Sequence, residues 1–313
     1  MMRVAFLFPG QGSQSIGMGQ EMVAQSDVAR ATFDEARGVL GWDVLNLCTQ
    51  GPRAQLDQTE YTQPALLTVS IAVWRSLGEG LGQVSGAYVA GHSLGEYTAL
   101  VAAGAMTFPD ALRLVTLRGQ LMQAASGTEG GAMAAIVGLT RSEVEHICAA
   151  SGDVVAANIN APTQIVISGR VAGVEQAIKQ AKAQGARGIR LAVSVPSHSP
   201  WMQPACQKLA VALDHIQGRD LTLPLVNNCS ARVITRWHDA KMGLIAQLEQ
   251  PLLWEDAMRR MIDLGVNLFV EVGPGQVLSG LVKKIDATVE ALHTGNVDGV
   301  AHSLEVLRMR ENV

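Results

Sequence analysis

The sequence is poor in aromatic residues, in cysteine and in positive charge. Aromatic side chains make up 4% of its 313 residues, and 24 Lys and Arg stand against 28 Asp and Glu, which gives a net charge of -4. Proteins that bind nucleic-acid phosphates carry a basic excess, so we expect no nucleic-acid partner. The four cysteines have no CxxC or metal-ligand spacing, which argues against a zinc site or a disulfide framework and fits a reducing compartment.

Long apolar runs are absent as well. No run is long enough to span a membrane, and the apolar residues before Pro9 are too few for a signal peptide, so we expect a cytoplasmic protein. Hydrophobic residues still make up 48% of the chain, enough for a substantial core at this length. Glycine is abundant, with 32 residues, which directs attention to tight backbone turns.

Alternating strands and helices indicate an α/β protein. A buried strand is predicted at residues 4–8, followed by the loop Pro9-Gly10-Gln11-Gly12-Ser13-Gln14. A helix is predicted over residues 65–77, with Pro64 in its first turn, where a missing N–H costs nothing. The other predicted elements are strands at 87–90, 223–227 and 268–272 and helices at 96–103, 108–123 and 254–264, the last ending at Gly265.

The middle of the chain has a different pattern. Gly127 to Gly131 interrupts the preceding helix, and strand, helix, strand, strand, helix and strand are then predicted at 132–139, 142–150, 154–158, 164–168, 174–184 and 189–195. This β-α-β-β-α-β order is ferredoxin-like. We therefore expect a small inserted domain at residues 127–197, with residues 1–126 and 198–313 forming the large domain.

The motif Gly91-His92-Ser93-Leu94-Gly95 lies between a predicted strand and a predicted helix. That context favours a sharp turn that exposes the serine hydroxyl at the helix N-terminus. The N–H of Leu94 and the helix dipole would then face an oxyanion formed by attack of Ser93 on an acyl carbonyl. The alternative is an ordinary tight turn with an unreactive serine.

A nucleophilic serine needs a base, and histidine suits that role near neutral pH. His198 lies in the proline-bracketed loop Val195-Pro196-Ser197-His198-Ser199-Pro200, either as that base or as an ordinary loop residue. His92 is expected to pack within its turn. Surface positions are predicted for His146, His215, His238, His293 and His302. No motif places a carboxylate beside His198, so a backbone carbonyl or an amide is an alternative partner for its second ring nitrogen.

Arg118 lies on an apolar face of the helix predicted at 108–123. Its neighbours three and four positions away are Leu114, Val115, Leu121 and Met122, which predicts burial. Arg113, by contrast, can pair with Asp110 at the surface. A buried guanidinium needs an anion, and either a buried Asp or Glu or a substrate carboxylate fits.

The loop that contains Gly10 and Gly12 lacks the spacing of a dinucleotide-binding loop and the lysine of a P-loop. Its backbone N–H groups can supply a second oxyanion donor beside Ser93. For that, the two glycine-rich turns must meet at the carboxyl ends of adjacent parallel strands.

Six segments are recognisable together: Phe8-Pro9-Gly10-Gln11-Gly12-Ser13-Gln14, Thr62-Gln63-Pro64-Ala65, Gly91-His92-Ser93-Leu94-Gly95-Glu96-Tyr97, Arg118-Gly119, Pro196-Ser197-His198 and Glu271-Val272-Gly273-Pro274-Gly275. They occur in the order found in malonyl-CoA:acyl carrier protein transacylases of bacterial fatty acid synthesis. The sequence resembles that family over essentially its whole length. The resemblance implies an α/β-hydrolase-like large domain with a parallel sheet plus the inserted ferredoxin-like small domain.

The resemblance also implies roles for individual residues. Ser93 would be the acylated nucleophile, His198 its base, and Arg118 the residue that binds the malonyl carboxylate. The backbone N–H groups of Gln11 and Leu94 would form the oxyanion hole. The backbone carbonyl of Gln247 would orient the histidine, while Asn160 matches a family loop near the site and is given no role.

The activity implied is ping-pong transfer of a malonyl group from malonyl-CoA to the phosphopantetheine thiol of acyl carrier protein, with no metal or cofactor. The alternatives are the same chemistry for a polyketide synthase or a malonate decarboxylase, a serine hydrolase, and, more remotely, a nucleotide-binding protein without catalysis. An acidic carrier protein would need a basic surface, for which the candidates are Arg187, Arg190, Lys283 and Lys284.

Overall fold

Helices and strands alternate along the residues that the computed structural model describes, which are 3–81, 87–126 and 130–311. The first part contains β1 (Val4–Phe8), α1 (Gln20–Gln25), α2 (Asp27–Leu40), α3 (Val44–Gln50), α4 (Arg53–Leu56), α5 (Thr59–Leu81), β2 (Tyr88–Gly91), α6 (Gly95–Ala102) and α7 (Phe108–Ala125). The middle part contains β3 (Ala132–Val137), α8 (Arg141–Ser151), β4 (Val154–Ala161), β5 (Gln164–Gly169), α9 (Val171–Ala183) and β6 (Arg187–Arg190). The last part contains a 3₁₀ turn (Pro200–Met202), α10 (Gln203–Asp214), β7 (Leu225–Val226), β8 (Val233–Ile234), α11 (Trp237–Gln247), α12 (Trp254–Asp263), β9 (Leu268–Glu271), α13 (Val277–Ile285), β10 (Glu290–His293) and α14 (Val297–Glu311).

The first and last parts of the chain build one six-stranded sheet in the order β10-β9-β1-β2-β7-β8. All of its pairs are parallel except β7 with β8. Every residue of β1 is buried, as expected for an apolar strand covered on both faces. Phe8 and Gly91 are register partners at the ends of β1 and β2. The two glycine-rich turns therefore leave the same edge of the sheet, which is the condition for a second oxyanion donor beside Ser93.

The middle part forms a separate antiparallel sheet in the order β4-β5-β3-β6. With α8 and α9 it has the β-α-β-β-α-β order predicted from the sequence. The two helices pack on one face around a cluster of buried aliphatic residues that includes Val144, Ile165, Ile167 and Val174. A parallel-containing sheet and a second, ferredoxin-like unit are thus both present, and the predicted fold class is confirmed.

Helix α5 begins earlier than the sequence suggested. It starts at Thr59 rather than near Ala65, so Pro64 lies inside the helix instead of in its first turn. The added turn packs against α7: a Cβ at Gly119 would lie 2.7 Å from Cα of Glu60, so only glycine lets α7 pack directly on the start of α5. Because that contact is long-range, the local apolar pattern did not reveal it.

Strand β6 ends at Arg190, whereas a strand to Val195 was predicted. The alternating apolar residues Leu191, Val193 and Val195 point instead into a cleft between the two sheets. Apolar residues do occur at every second position here, but their side chains line the cleft and the segment is not a paired strand. Gly127, where the break after α7 was predicted, lies outside the described residues.

Two further expectations can be checked directly. His293 belongs to β10, half-buried beside Glu271, so its predicted place in an exposed tail is wrong. All four cysteines are free. Within the part of the chain that is described, none of the helices combines the length and apolar character needed to cross a membrane.

Candidate active site

Ser93 lies at the apex of the sharp turn between β2 and α6. Its φ angle is 54°, in the left-handed region that side chains rarely adopt. A Cβ on Gly91 would lie 1.9 Å from the carbonyl of Gly95, and one on Gly95 would lie 1.9 Å from the carbonyl oxygen of Phe8. Asn228 Oδ1 accepts a hydrogen bond from the backbone N–H of Ser93 at 2.9 Å. The glycines thus permit a close approach of backbones that presents the serine hydroxyl.

We expect Gly95→Ala to destabilise the protein by about 3 kcal/mol, because the new methyl group would collide with the backbone of β1. Gly38→Ala is the matched control. Gly38 lies in α2 with nothing within 4 Å of a Cβ, so the same change there should add about 0.5–1 kcal/mol through helix propensity. Urea denaturation measures both free energies of unfolding. Equal effects would contradict the close approach at the turn.

His198 faces the serine. Its Nε2 lies 2.9 Å from Ser93 Oγ, and its Nδ1 lies 2.7 Å from the backbone carbonyl oxygen of Gln247. A carbonyl oxygen only accepts hydrogen bonds, so Nδ1 carries the proton and Nε2 is free to accept from the serine hydroxyl. His198 is also in the left-handed region, with φ of 58°. A backbone carbonyl, one of the two alternatives that the sequence left open, therefore takes the position that an acid occupies in a catalytic triad.

Burial and the charge of Arg118 together lower the pKa of His198 to about 3. The imidazole is therefore neutral at physiological pH. In that state it holds the lone pair that a proton acceptor needs. An anion bound to Arg118 would offset part of this charge and raise the pKa of His198 toward its ordinary range.

Arg118 is buried, as its apolar helix face predicted. Its Nη1 donates to Gln63 Oε1 at 2.8 Å, and its Nη2 donates to Gln247 Oε1 and to Ser93 Oγ, both at 3.0 Å. The guanidinium also lies over the ring of Tyr97, 5.3 Å from its centroid. All of these partners are neutral.

The alternative of an internal ion pair is not found. Within residues 3–81, 87–126 and 130–311, Arg118 forms no salt bridge, and its buried Nε has no hydrogen-bond partner. Arg113, in contrast, pairs with Asp110 at the surface as expected. A buried cation that only neutral groups contact is costly, and an anionic ligand would remove that cost. The cation lies within hydrogen-bonding distance of the Ser93 hydroxyl, so such a ligand would lie beside the serine.

Gln11 and Leu94 have backbone N–H groups near the same point. Gln11 follows β1 and Leu94 follows Ser93, and a Cβ on Gly10 would lie only 2.3 Å from the carbonyl oxygen of His92, so the two turns are packed together. Neither N–H donates to another backbone or side-chain group of the described residues. Two free donors at the end of adjacent parallel strands are suited to binding an oxyanion.

The cleft above these groups lies between the two sheets. Its lining from the large sheet's side includes Gln11, Thr59, Ser93, Arg118, Met122 and His198. The small unit contributes Met133, Asn158, Leu191 and Val193. The substrate would therefore meet a polar floor and a largely apolar opposite wall. The described residues contain no group of three or more His, Cys, Asp or Glu side chains that could hold a metal ion.

His92 has a packing role, as expected, but its partners lie outside its own turn. Its ring lies 5.3 Å from that of Trp254, and its Nε2 lies 2.9 Å from Oδ1 of Asn160. Asn160 belongs to β4, so this contact ties the small unit to the turn that carries Ser93. Three of the four basic candidates for a carrier-binding surface already have partners: Arg190 pairs with Glu175, Lys284 donates to Gln164 and Lys283 donates to the carbonyl of Val289, while Arg187 is exposed.

Several residues of the site were missed by the sequence analysis. Gln63 and Glu96 were noted only as parts of motifs, Asn227 and Asn228 were not singled out, and the side chain of Gln247 was given no contact. A signal was present in two cases. Glu96 is the one charged residue in the apolar helix run at 96–103, and the two asparagines directly follow β7 at the carboxyl edge of the sheet.

Comparison with known proteins agrees with this geometry. Residues 5–302 match the acyl transferase domain family. The malonyl CoA-acyl carrier protein transacylase of Escherichia coli strain K12 is 44% identical over 310 residues, which cover 98% of this chain and 100% of that protein. A solved structure of the malonyl CoA-acyl carrier protein transacylase from Coxiella burnetii superposes with a TM-score of 0.94 at 40% identity, covering 98% of each chain.

A second solved structure is that of a malonyl-transacylase in complex with a type II PKS acyl-carrier protein. It matches with a TM-score of 0.94 at 41% identity, over 97% of this chain and 99% of that one. Sequence, fold and site geometry therefore point the same way, and the chain belongs to the malonyl-CoA:acyl carrier protein transacylases of the acyl transferase family.

Proposed function

We propose that this protein transfers a malonyl group from malonyl-CoA to the phosphopantetheine thiol of acyl carrier protein, for fatty acid biosynthesis in the cytoplasm. The observation that carries the proposal is the contact of one hydroxyl with two groups. Ser93 Oγ is within hydrogen-bonding distance of both a neutral imidazole, His198, and an unpaired buried cation, Arg118. The first suits acyl transfer through a serine ester, and the second suits an acyl group that carries its own carboxylate.

In the first half-reaction, Ser93 Oγ attacks the thioester carbon of malonyl-CoA while its proton passes to Nε2 of His198. The backbone N–H groups of Gln11 and Leu94 stabilise the oxyanion of the tetrahedral intermediate. The carbon–sulfur bond then breaks, and His198 returns the proton to the departing CoA sulfur. Gln247 keeps the imidazole oriented through its backbone carbonyl, and Arg118 holds the malonyl carboxylate.

In the second half-reaction, the carrier thiol gives its proton to His198 and its sulfur attacks the malonyl-serine ester. The carbon–oxygen bond breaks, and Ser93 recovers the proton from His198. Reactant and product are both thioesters, so the exchange is close to balanced in energy and requires no cofactor or metal. Acyl carrier protein and malonyl-CoA are the partners this requires.

The proposed domain division is residues 1–126 with 198–313 and residues 127–197. Supporting it, the backbone N–H of Gly131 donates to the carbonyl of Ser194, and a Cβ on Gly131 would lie 2.3 Å from the ring of Pro196. The chain thus enters and leaves the small unit at neighbouring points. An inserted unit of this kind forms one wall of the cleft without interrupting the large sheet.

The proposal is tested by intact mass after incubation with malonyl-CoA, followed by addition of acyl carrier protein. A transacylase keeps a malonyl adduct until the carrier is added and then transfers it. A serine hydrolase would lose the adduct to water without the carrier. Parallel assays with carrier proteins of fatty acid, polyketide and malonate decarboxylase systems separate the remaining alternatives by their transfer rates.

We expect His198→Ala to slow acylation of Ser93 by at least about 100-fold, because the hydroxyl loses its proton acceptor. Stopped-flow release of CoA measures this step. His215→Ala is the control, since His215 is exposed at the end of α10 and should leave the rate unchanged. A normal rate in His198→Ala would assign the base to another group.

A further inference from the structure

The side chain of Gln247 contacts three other residues in the floor of the site. Its Oε1 accepts from Arg118 Nη2 at 3.0 Å. Its Nε2 donates to the backbone carbonyl of Ser93 at 3.0 Å and to Oε2 of Glu96 at 2.7 Å. One amide thus contacts the cation, the backbone of the serine turn and a carboxylate.

Glu96 is completely buried in the first turn of α6. Its Oε1 accepts from Asn227 Nδ2 at 2.7 Å, so each carboxylate oxygen receives one side-chain donor. Burial raises the pKa of Glu96 to about 7, although the hydrogen bonds from Gln247 and Asn227 and the charge of Arg118 favour its ionised form. The mechanism described above gives this buried acid no part.

The orientation of Asn227 is fixed independently. Its Oδ1 accepts from the backbone N–H groups of Cys229 and Ser230 at 3.0 and 3.1 Å and from Ser230 Oγ at 3.0 Å. Three donors on this oxygen leave Nδ2 as the atom that must face Glu96. Whatever occupies position 96 must therefore accept a hydrogen bond on that side.

We propose that Glu96 is a positioning residue for substrate recognition, which fixes the amide of Gln247 with its oxygen toward Arg118. An ionised carboxylate only accepts hydrogen bonds, so Glu96, together with the backbone carbonyl of Ser93, holds Nε2 of Gln247 on its side and leaves Oε1 for the guanidinium. The reversed amide would direct an NH₂ group at the N–H groups of Arg118 and displace the cation. The inference rests on the proposed function, since it concerns how Arg118 is held for a malonyl carboxylate.

Glu96→Gln tests this with almost no change of shape. The oxygen of the new amide must still accept from Asn227, so its NH₂ group faces Nε2 of Gln247. Two donors then oppose each other, and the amide of Gln247 must either shift or reverse, which costs its contact with Arg118 or with the Ser93 carbonyl. We expect the ratio of kcat/KM for malonyl-CoA to that for acetyl-CoA to fall by about 10–100-fold, through the KM for malonyl-CoA. Acylation by acetyl-CoA, which has no carboxylate for Arg118, should change little.

The matched control is Glu271→Gln. Glu271, in β9 of the large sheet, is also a completely buried carboxylate. It accepts hydrogen bonds from the backbone N–H groups of Leu278 and Ser279 at the start of α13. The same chemical change there should alter stability but not the malonyl-to-acetyl ratio. An unchanged ratio in Glu96→Gln, or an equal change in Glu271→Gln, would overturn the inference while leaving the proposed function intact. Failure of the unaltered chain to accept malonyl from malonyl-CoA would overturn both.

A measurement on the unaltered chain decides the matter if Glu96→Gln does not fold. Below a pH of about 7, Glu96 becomes protonated and gains a donor on the side of Gln247, as in the variant. The malonyl-to-acetyl ratio should therefore fall as the pH is lowered from about 8 to about 6. Using a ratio cancels the titration of His198, which serves both substrates.

Other groups facing Glu96 do not titrate in this window. Burial raises the pKa of Tyr97 to about 12 and also raises that of the Cys229 thiol, and Arg118 stays protonated. A ratio that is constant from about pH 8 to about pH 6 would overturn the inference.

Discussion

The Ser93→Ala variant is expected to take up no malonyl group from malonyl-CoA, whereas the unaltered chain gains the mass of one. The reason is that Ser93 Oγ is the hydroxyl that both the imidazole of His198 and the guanidinium of Arg118 contact. Without that oxygen atom, no nucleophile remains at the position that His198 and Arg118 contact. Intact mass spectrometry after a short incubation measures the adduct directly, and transfer to acyl carrier protein should be lost with it.

Thiols are the most plausible competing nucleophiles, and their environments argue against them. Burial raises the pKa of Cys48 and of Cys148 to about 12 and that of Cys206 to about 11, so they are protonated and poorly reactive at neutral pH. Ser168→Ala is a matched control, since that serine is buried in β5 and its hydroxyl has no partner among the described residues. An adduct that persists in Ser93→Ala would place the nucleophile elsewhere.

The parts of the site that could be predicted from the sequence are those with a local cause. Ser93 is presented by a turn whose two glycines stand within two residues of it. The burial of Arg118 follows from its apolar neighbours on one helix face. The pairing of the two glycine-rich turns follows from β1 and β2 being adjacent parallel strands, which alternating helices and strands favour.

The parts that could not be predicted depend on contacts between distant elements. Arg118 on α7 is held by Gln63 of α5 and Gln247 of α11, and Gln247 is held by Glu96 of α6. No spacing in the sequence encodes such a network, because each member lies on a different helix. The early start of α5, which packs closely against Gly119 of α7, was also missed.

The environment of Arg118 explains how the site would distinguish malonyl from acetyl groups. The buried guanidinium has neutral hydrogen-bond partners and an unpaired Nε, and the carboxylate of Glu96 reaches it only through Gln247, so an acetyl group in the cleft leaves it without a direct anionic partner. A malonyl carboxylate supplies the missing anion in a form whose two oxygens match the guanidinium. Discrimination of this kind, in which the wrong substrate leaves a buried polar group unpaired, is stronger than discrimination by size.

We expect Arg118→Ala to lower the malonyl-to-acetyl ratio of kcat/KM by a factor on the order of 10⁴. Malonyl transfer loses its anion-binding group. Acetyl transfer should be retained or rise, because the charge of Arg118 is one cause of the low pKa of His198 and its removal makes the imidazole a stronger base. Arg113→Ala is the control on the same helix, since Arg113 is exposed and paired with Asp110. Equal losses for both acyl groups would mean that Arg118 supports the structure of the site rather than binding the carboxylate.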